Sequence, residues 1–339
     1  MNDVADLAGV SIKTVSRVLN NEANVRPATR DKVKAAVREL NYVPDVSARS
    51  LAGQRSYMFA MFYDTASEGY LSRFQKGALD ACRDANYHLI VEQCRVGAGG
   101  TADRLAATAT QLRVDGVLLL PPVGDTEEIV ERFAGLDIPA ALIAPAGETF
   151  GMPAVRMDDA SAAQEMTQFL LDSGHRRIGF VKGHPAHGAT SRRLQGYSNA
   201  LREAGLSSDD MLITSGDFSF ESGVDAADKL LSLAEPPTAI FASNDDMAAA
   251  VIRCAAERGM QVPVDLSVVG FDDALISKAT VPPLSTVRQP VETMAAAAIN
   301  RLLEATGSRA MSDDASVANR SYEYQILHRA SVASGPFKV

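Results

Sequence analysis

The stretch D-V-A-D-L-A-G-V-S-I-K-T-V-S-R-V-L-N, residues 3–20, determines how the beginning of this chain folds. Its apolar residues recur at helical spacing on both sides of Gly9-Val10-Ser11, which indicates two short helices joined by a tight turn. Gly9 can adopt the positive φ that such a turn requires, and Ser11 is suited to cap the second helix. A third helix is predicted from Pro27 to Leu40, so residues 1–45 are predicted to form an all-α helix-turn-helix domain.

The charge of the chain changes sign near residue 55. The 339 residues carry a formal net charge of −9, yet residues 1–55 hold nine Lys and Arg against six Asp and Glu, a charge of +3. The remainder holds 24 basic and 36 acidic residues, a charge of −12. A small basic head on an acidic body can approach a phosphate backbone with one end only, which favours double-stranded DNA as the partner of the head.

A helix-turn-helix places the start of its second helix in the major groove of DNA, where outward side chains reach the base edges. Four residues are therefore predicted to read bases: Ile12, Lys13, Ser16 and Arg17. Arg17 is the best candidate for a guanine, while Thr14 and Asn20 are predicted to hold phosphates and to set the register. The alternative is a three-helix protein-interaction module whose charges form a solvated face.

From Tyr57 onward, β-rich runs alternate with helical stretches, which predicts parallel sheets with helices on both faces. The predicted strands are residues 57–63, 87–94, 116–120, 140–144, 177–182, 238–241 and 267–271. The series pauses and restarts near Met157, so the α/β core is predicted to have two doubly wound parallel-sheet lobes. Ligands of such folds lie at the carboxyl ends of the strands, which makes a cleft between the lobes the expected pocket.

The sequence supports neither a membrane protein nor a small protein held together by disulfides. The purely apolar runs are far shorter than the roughly 18–20 residues of a membrane-spanning helix, and no apolar signal segment opens the chain. We therefore expect a cytoplasmic protein without a membrane partner. The three cysteines, Cys82, Cys94 and Cys254, have no C-x-x-C spacing, so we expect buried thiols rather than a disulfide framework or a zinc site.

An enzyme with a nucleotide cofactor is an alternative that rests on Gly97–Ala102, a G-x-G-x-x-A string after a predicted strand. A dinucleotide site needs an acid about 20 residues further on, at the end of the following strand. The acid nearest to that spacing, Asp115, opens the strand instead. The H-x-x-H of His184 and His187 contains Pro185, which prevents one regular helix from presenting both rings, so a cleft-lining loop is favoured over a metal site. The sequence predicts no catalytic residues, no metal and no cofactor.

The stretch 3–20, followed by E-L-N-Y-V-P at residues 39–44 and A-R-S-L-A-G at residues 48–53, resembles the head and hinge of the LacI/GalR repressor family. In that family the hinge segment becomes a short helix on DNA, pairs with its dimer mate and wedges a leucine into the minor groove. The resemblance implies a hinge over residues 46–56 with Leu51 and Ala52 at the minor groove, and a homodimer on a palindromic operator.

Two positions of the head depart from the family pattern. Family members usually carry a Thr-Ile or Thr-Leu pair shortly before the D-V-A run, and its threonine caps the first helix. This chain begins Met1-Asn2-Asp3, so either the natural start lies upstream or Asn2 caps the first helix poorly. Arg26 stands where a capping serine commonly precedes the proline of the third helix. Each missing cap is expected to cost about 1 kcal/mol.

The body carries five further stretches that are similar to the family's core motifs, in the same order. They are S-G-H-R-R-I-G-F-V at 173–181, R-L-Q-G-Y at 193–197, A-S-N-D-D-M-A at 242–248, S-V-V-G-F-D-D at 267–273 and P-P-L-S-T-V-R-Q at 282–289. The implied core, residues 57–339, is like that of periplasmic sugar-binding proteins, with crossings between lobes near Asp158, Thr286 and Arg320. Lobe one is then about 57–157 and 288–319, and lobe two about 158–286 and 320–330.

The resemblance also implies a set of effector contacts, which fall on Arg193, Phe218, Asn244 and Asp272 and, in the first lobe, on Asp64 and Tyr70. An arginine fork donates to ligand oxygens, an aspartate accepts from paired hydroxyls, and a phenylalanine offers an apolar face to a sugar ring. Asn244 at a strand end could instead cap a helix. The first-lobe match is poorer, because residues 66–71 contain one residue more than the usual motif.

These features together imply a dimeric transcriptional regulator, a repressor whose operator affinity is controlled by a small molecule such as a sugar or a related metabolite. One alternative keeps the DNA function but replaces the small molecule with a protein coregulator, as happens in part of the family. A solute-binding protein for transport would share the body but would need a secretion signal, and none is visible.

Overall fold

The structure, a computed structural model, describes residues 1–19, 25–42, 55–64, 67–308 and 321–335. Its contacts divide the chain into two compact units, residues 1–56 and residues 57–339, called the head and the body below. Three residues predicted to contact DNA, Asn20, Leu51 and Ala52, lie outside the described residues, as does the predicted crossing at Arg320. The DNA contacts of Asn20, Leu51 and Ala52 therefore remain predictions.

The head consists of three helices in its described part: α1 (Asn2–Ala8), α2 (Ile12–Leu19) and α3 (Pro27–Glu39). Gly9 ends α1 with φ 63°, and the amide of Val10 donates to the carbonyl of Ala5 at 3.0 Å, so the turn takes the left-handed form that glycine permits. A small core forms where the helices meet, around the fully buried residues Val4, Val15 and Val33. This arrangement confirms the predicted helix-turn-helix.

The body is built from short strands and longer helices. In chain order the described strands are β1 (Met58–Tyr63), β2 (His88–Gln93), β3 (Gly116–Leu119), β4 (Ala140–Ile143), β5 (Ala154–Met157), β6 (Ile178–Lys182), β7 (Ile213–Ser215), β8 (Ala239–Ala242), β9 (Ser267–Asp272), β10 (Ser285–Arg288), β11 (Ser321–Tyr322) and β12 (Gln325–Leu327). Most of these strands match runs that the sequence predicts, and the ones it misses are short.

The helices of the body connect these strands. They are α4 (Glu68–Asp84), α5 (Thr101–Gln111), α6 (Glu127–Ala134), α7 (Asp159–Asp172), α8 (Gly188–Glu203), α9 (Phe220–Leu231), α10 (Asp245–Glu257), α11 (Leu275–Ala279) and α12 (Val291–Ala305), with 3₁₀ turns at Val123–Asp125 and Asp210–Leu212. None of the helices in the described part of the chain has the length and apolar content that crossing a bilayer requires.

Each lobe has one six-stranded sheet. The first sheet has the order β11-β5-β4-β3-β1-β2 and is parallel throughout, and the second has the order β12-β10-β9-β8-β6-β7, with β12 alone antiparallel to its neighbour. Strands such as β3 and β8 are buried along their whole length, because helices cover both faces of the sheet. The predicted two-lobed α/β core is therefore confirmed.

Two lobe crossings come a few residues later than the sequence predicts. Strand β10 continues to Arg288 in the second sheet, so that crossing follows Arg288 instead of Thr286. Ser321 and Tyr322 pair with Arg156 and Met157 in the first sheet, so the last crossing falls after Tyr322. The two-residue strand β11 is too short to produce a recognisable pattern, which explains why the boundary was placed too early.

Candidate functional site

A cavity lies between the two lobes of the body, at the carboxyl ends of several strands. Both lobes contribute to its lining, which comprises Ser67, Tyr70, Pro121 and Ala144 from the first lobe and Asp159, His187, Ala189, Arg193, Phe218, Asn244, Asp272 and Gln289 from the second lobe and the crossings. Its volume of about 60 Å³ is small beside the roughly 300–1,000 Å³ of ordinary ligand sites. The lobes therefore approach each other closely here, and the cavity has too little room for a sugar ring.

Arg193 is held rigidly at the wall of this cavity. Its Nε donates to Oδ1 of Asp159 at 2.9 Å, and its Nη1 donates to the carbonyl of Ser243 at 2.6 Å. The guanidinium carbon lies 3.6 Å from the centre of the Phe271 ring, a stacking contact. Its Nη2 has no hydrogen-bond partner among the described residues, so one arm of the fork remains for a ligand.

Asp159 is the acidic partner of Arg193 that sequence reasoning missed. It is the first residue of α7, 2% exposed, and also lies 3.5 Å from Nε of Arg192. It stands 34 positions before Arg193, and no local pattern marks a pair that two separate helices bring together. The one sequence feature that could have indicated Asp159 is its position directly after the predicted crossing between the lobes near Asp158.

Asp272 faces the cavity from the end of β9, where the backbone takes φ 117°. Its Oδ1 accepts a 2.5 Å hydrogen bond from Nε2 of Gln289, and its Oδ2 has no partner within the described chain. Burial raises the pKa of Asp272 to about 6, although Arg193 and the Gln289 hydrogen bond pull it down. The next residue, Asp273, turns away from Asp272 and forms ion pairs with Arg288 and Arg329.

Tyr70 and Phe218 provide the aromatic lining from opposite lobes. The Tyr70 hydroxyl has no hydrogen-bond partner in the described residues, and its pKa is raised by burial and by the nearby Asp272 and Asp159 carboxylates. Phe218 has φ 74°, and its ring packs so closely on Gly183 that a Cβ there would collide with it. The ring of His187 meets Phe218 edge-on at 5.2 Å, which places the G-H-P-A-H-G loop beside the cavity.

Asn244 lines the cavity, but both ends of its amide are used within the protein. Its Oδ1 accepts from the amide of Met247 at 3.0 Å, which caps α10, and its Nδ2 donates to the carbonyl of Phe218 at 2.8 Å. Asp64 is not brought to the cavity, because its Oδ2 accepts from the amide of Val96 at 2.8 Å. The structure therefore gathers five of the six predicted contacts, and it adds Asp159, Ser67, His187 and Gln289, which had no predicted contact role.

The head places its predicted base-reading residues on one accessible face of α2. Ile12, Lys13 and Arg17 are exposed and Ser16 is half-buried, while Val15 and Val18 on the other face are buried. Ser11 caps the helix, since its Oγ accepts from the amide of Thr14 at 3.2 Å. Asn2, the predicted poor cap of the first helix, is instead the first residue of α1, and the N-cap residue Met1 makes no side-chain capping bond. Arg26 at the start of α3 makes none either, as predicted.

In the described part of the chain, no group of three or more His, Cys, Asp or Glu side chains is arranged so that it could hold a metal ion. The rings of His184 and His187 are 5.6 Å apart.

Comparison with known proteins decides the family. Residues 1–45 match the model of the lacI family of bacterial regulatory proteins, and residues 167–332 match a periplasmic binding protein-like domain. Catabolite control protein A of Priestia megaterium is 36% identical over 303 residues, which are 88% of this chain and 90% of that protein. The chain belongs to the LacI family. It is a DNA-binding transcriptional regulator and not an enzyme, as the sequence predicts.

Other LacI-family proteins match over nearly the whole chain. The ribose operon repressor of Escherichia coli (strain K12) is 34% identical over 306 residues, 89% of this chain and 92% of that protein. The lac repressor dimer bound to operator and an anti-inducer superposes with a TM-score of 0.79 at 26% identity, covering 98% of both chains. The complex of the regulator CelR with cellobiose has a TM-score of 0.74 at 31% identity and covers 97% of this chain and 98% of its own.

Proposed function

We propose that this LacI-family regulator is a repressor that binds a palindromic operator as a homodimer and is controlled by a sugar or a related polyhydroxyl metabolite in the body cavity. The observation that carries the proposal is that three polar atoms, none with a hydrogen-bond partner among the described residues, converge near one apolar ring. Nη2 of Arg193, Oδ2 of Asp272 and the hydroxyl of Tyr70 line the cavity together with Phe218.

The chemistry of these groups suits a neutral sugar. Ionised Asp272 accepts from two hydroxyls, Arg193 donates to ring or hydroxyl oxygens, and the tyrosine hydroxyl can do both. The Phe218 ring offers an apolar surface to the C–H face of a sugar. The charges of Arg193 and Asp159 already compensate each other at 2.9 Å, so the cavity has no strong excess of positive charge that would require an anion. Solved and curated relatives named for cellobiose and ribose support this class.

In the head we assign base reading to Ile12, Lys13, Ser16 and Arg17, and phosphate contact to Thr14 and Asn20. We assign DNA binding to residues 1–45 and the hinge to residues 46–56, with Leu51 and Ala52 as the proposed minor-groove contacts. A lac repressor dimer bound to operator supports the two-fold arrangement. We assign effector binding and dimerisation to residues 57–339, and the DNA target supports a cytoplasmic location.

Thermal-shift screening of the full-length protein against a panel of monosaccharides, disaccharides and sugar acids tests the cavity assignment. We expect one sugar at 100 times its Kd to stabilise the fold by about 2.7 kcal/mol. Asp272→Asn should remove that shift, whereas Asp103→Asn, which alters an exposed carboxylate paired with Arg132 in the first lobe, should retain it. A panel without any shift would contradict the sugar proposal and favour the protein-coregulator alternative.

A further inference from the structure

Asp125 joins the two lobes at a place outside the cavity lining. It ends the 3₁₀ turn Val123–Asp125 of the first lobe. Its Oδ1 accepts from the amide of Ala146 at 2.6 Å, in the loop after β4. Its Oδ2 accepts from the amide of Gly188 at 2.9 Å, the first residue of α8 in the second lobe. One carboxylate therefore binds a backbone amide of each lobe.

The two lobes approach each other closely at this point. A Cβ added to Gly188 would collide with the side chain of Ala146, so the contact requires a glycine at the start of α8. The N-terminus of a helix carries partial positive charge, which strengthens a hydrogen bond to a carboxylate. The close approach and the carboxylate thus act at the same end of one helix.

Arg192 adds a second contact across the lobes one turn further along α8. Its Nη2 donates to the carbonyl of Ala144 at 2.9 Å, and its Nη1 donates to that of Pro145 at 3.3 Å. Arg192 also shares the carboxylate of Asp159 with its neighbour Arg193. Helix α8 therefore carries both the cross-lobe contacts and the arginine that lines the cavity.

We propose that Asp125 and Arg192 form a latch that stabilises the closed arrangement of the two lobes. Asp125 does not line the cavity, so it is a positioning residue and not a ligand contact. Since the closed cavity is too small for a ring-sized ligand, the strength of the latch sets how often the lobes open to admit one. The latch rests on the proposed function in one respect only, namely that the cavity beside it is the effector site.

Other cross-lobe contacts limit how far a broken latch lets the lobes move. Oγ of Ser67, just before α4, donates to Oδ2 of Asp246 in the second lobe at 2.6 Å. Nη1 of Arg73 donates to the carbonyl oxygen of Asp272 at 2.6 Å. Loss of Asp125 alone is therefore expected to increase opening at the α8 contact without unfolding the lobes.

Hydrogen exchange of the full-length, ligand-free protein tests the latch. Asp125→Asn keeps one acceptor oxygen but turns an NH₂ group toward one of the two amides. We expect the Gly188 and Ala146 amides to exchange about tenfold faster, with β4 and β6 unchanged. The matched control Asp103→Asn should leave all of these rates unchanged. Spin labels at the exposed residues Glu131 and Lys229, one on each lobe, should report longer distances in Asp125→Asn only.

An unchanged Gly188 exchange rate or an unchanged label distance in Asp125→Asn would overturn the latch. Faster exchange throughout β4 and β6 would overturn it as well, because Asp125 would then support the whole fold. If that variant does not fold, Arg192→Gln must accelerate Gly188 exchange and lengthen the label distance, and failure of either overturns the proposal. No operator or sugar enters this experiment, so its failure is distinguishable from failure of the proposed function.

Discussion

The head and the body place their proposed recognition residues in opposite ways. The base-reading candidates Ile12 to Arg17 follow one another on a single exposed helix, whereas the cavity combines residues from Ser67 to Gln289 that are mostly buried. Ile12, Lys13 and Arg17 are exposed on α2, and we propose that they contact bases when the head binds DNA. The cavity residues are already fixed by protein contacts, so their replacement alters stability as well as binding. We therefore expect substitutions in the head to change DNA binding alone, and substitutions in the cavity to change both stability and ligand binding.

The largest effect is expected at Arg193, whose replacement leaves a buried carboxylate without its closest partner. Arg193→Ala should lower the free energy of unfolding of the body by about 3–5 kcal/mol, because Asp159 keeps only Arg192 at 3.5 Å. Urea unfolding of the full-length protein measures this change. Arg83→Ala, which removes an exposed ion pair with Asp80, should change the free energy of unfolding far less. Equal losses in the two variants would contradict the rigid anchoring of Arg193.

At Arg17 the expected change concerns DNA alone. Arg17→Ala should reduce discrimination at one base pair per half-site by about 1–3 kcal/mol, while unfolding of the body stays unchanged. Selection from randomised duplexes followed by affinity measurement at fixed salt reveals the change. Lys34→Ala, an exposed substitution on α3, should leave the base preference unaltered. An identical binding-site logo for Arg17→Ala and the unaltered chain would remove Arg17 from the reading face.

Effector affinity is expected to depend on pH through Asp272. Its pKa of about 6 means that the carboxylate is ionised at neutral pH and becomes protonated as the pH falls through that value. A sugar whose hydroxyls donate to the ionised form should then bind up to about tenfold more weakly for each pH unit below it. Calorimetry at a series of pH values from about 5 to about 8 measures the change. A sloping profile that survives in Asp272→Asn would assign the titration to another group.

The smallest effect is expected at the start of α3. Arg26 occupies the N-cap position without a side-chain capping bond, so Arg26→Ser should stabilise the head by about 1 kcal/mol. Hydrogen exchange of the α3 amides in the full-length protein detects this gain. Arg26→Ala is the matched control, since it lacks only the capping hydroxyl of the serine variant. Equal exchange in the serine and alanine variants would show that the missing cap does not limit the head.

Much of the fold follows from local patterns in the sequence. The helix-turn-helix depends on spacing within residues 3–20, and strands such as β1 and β9 are continuous apolar runs, so both are recognisable without long-range information. Short strands such as β7 and β11 contain too few residues to show a recognisable hydrophobic pattern in the sequence. Their positions depend on pairing with neighbouring strands, such as the pairing of Ser321 with Arg156.

The cavity could be predicted only in part, for the same physical reason. Arg193 and Asp272 stand in stretches similar to family motifs, so they could be named, but their partners Asp159 and Gln289 depend on the meeting of separate elements. Asp64 shows the converse case, because its position at the end of β1 suggested a ligand contact while the carboxylate is used by the amide of Val96. A sequence pattern shows which residue follows a strand, but it does not show which group the side chain of that residue contacts.

The central claim is that the body controls how the head holds DNA. The most direct test measures the operator affinity of the full-length protein by fluorescence anisotropy, with and without a saturating sugar from the thermal-shift panel. A coupling of about 1–3 kcal/mol predicts a change in Kd of about 5- to 150-fold, and Asp272→Asn should abolish it. An operator Kd that stays constant while the sugar demonstrably occupies the body would contradict the account.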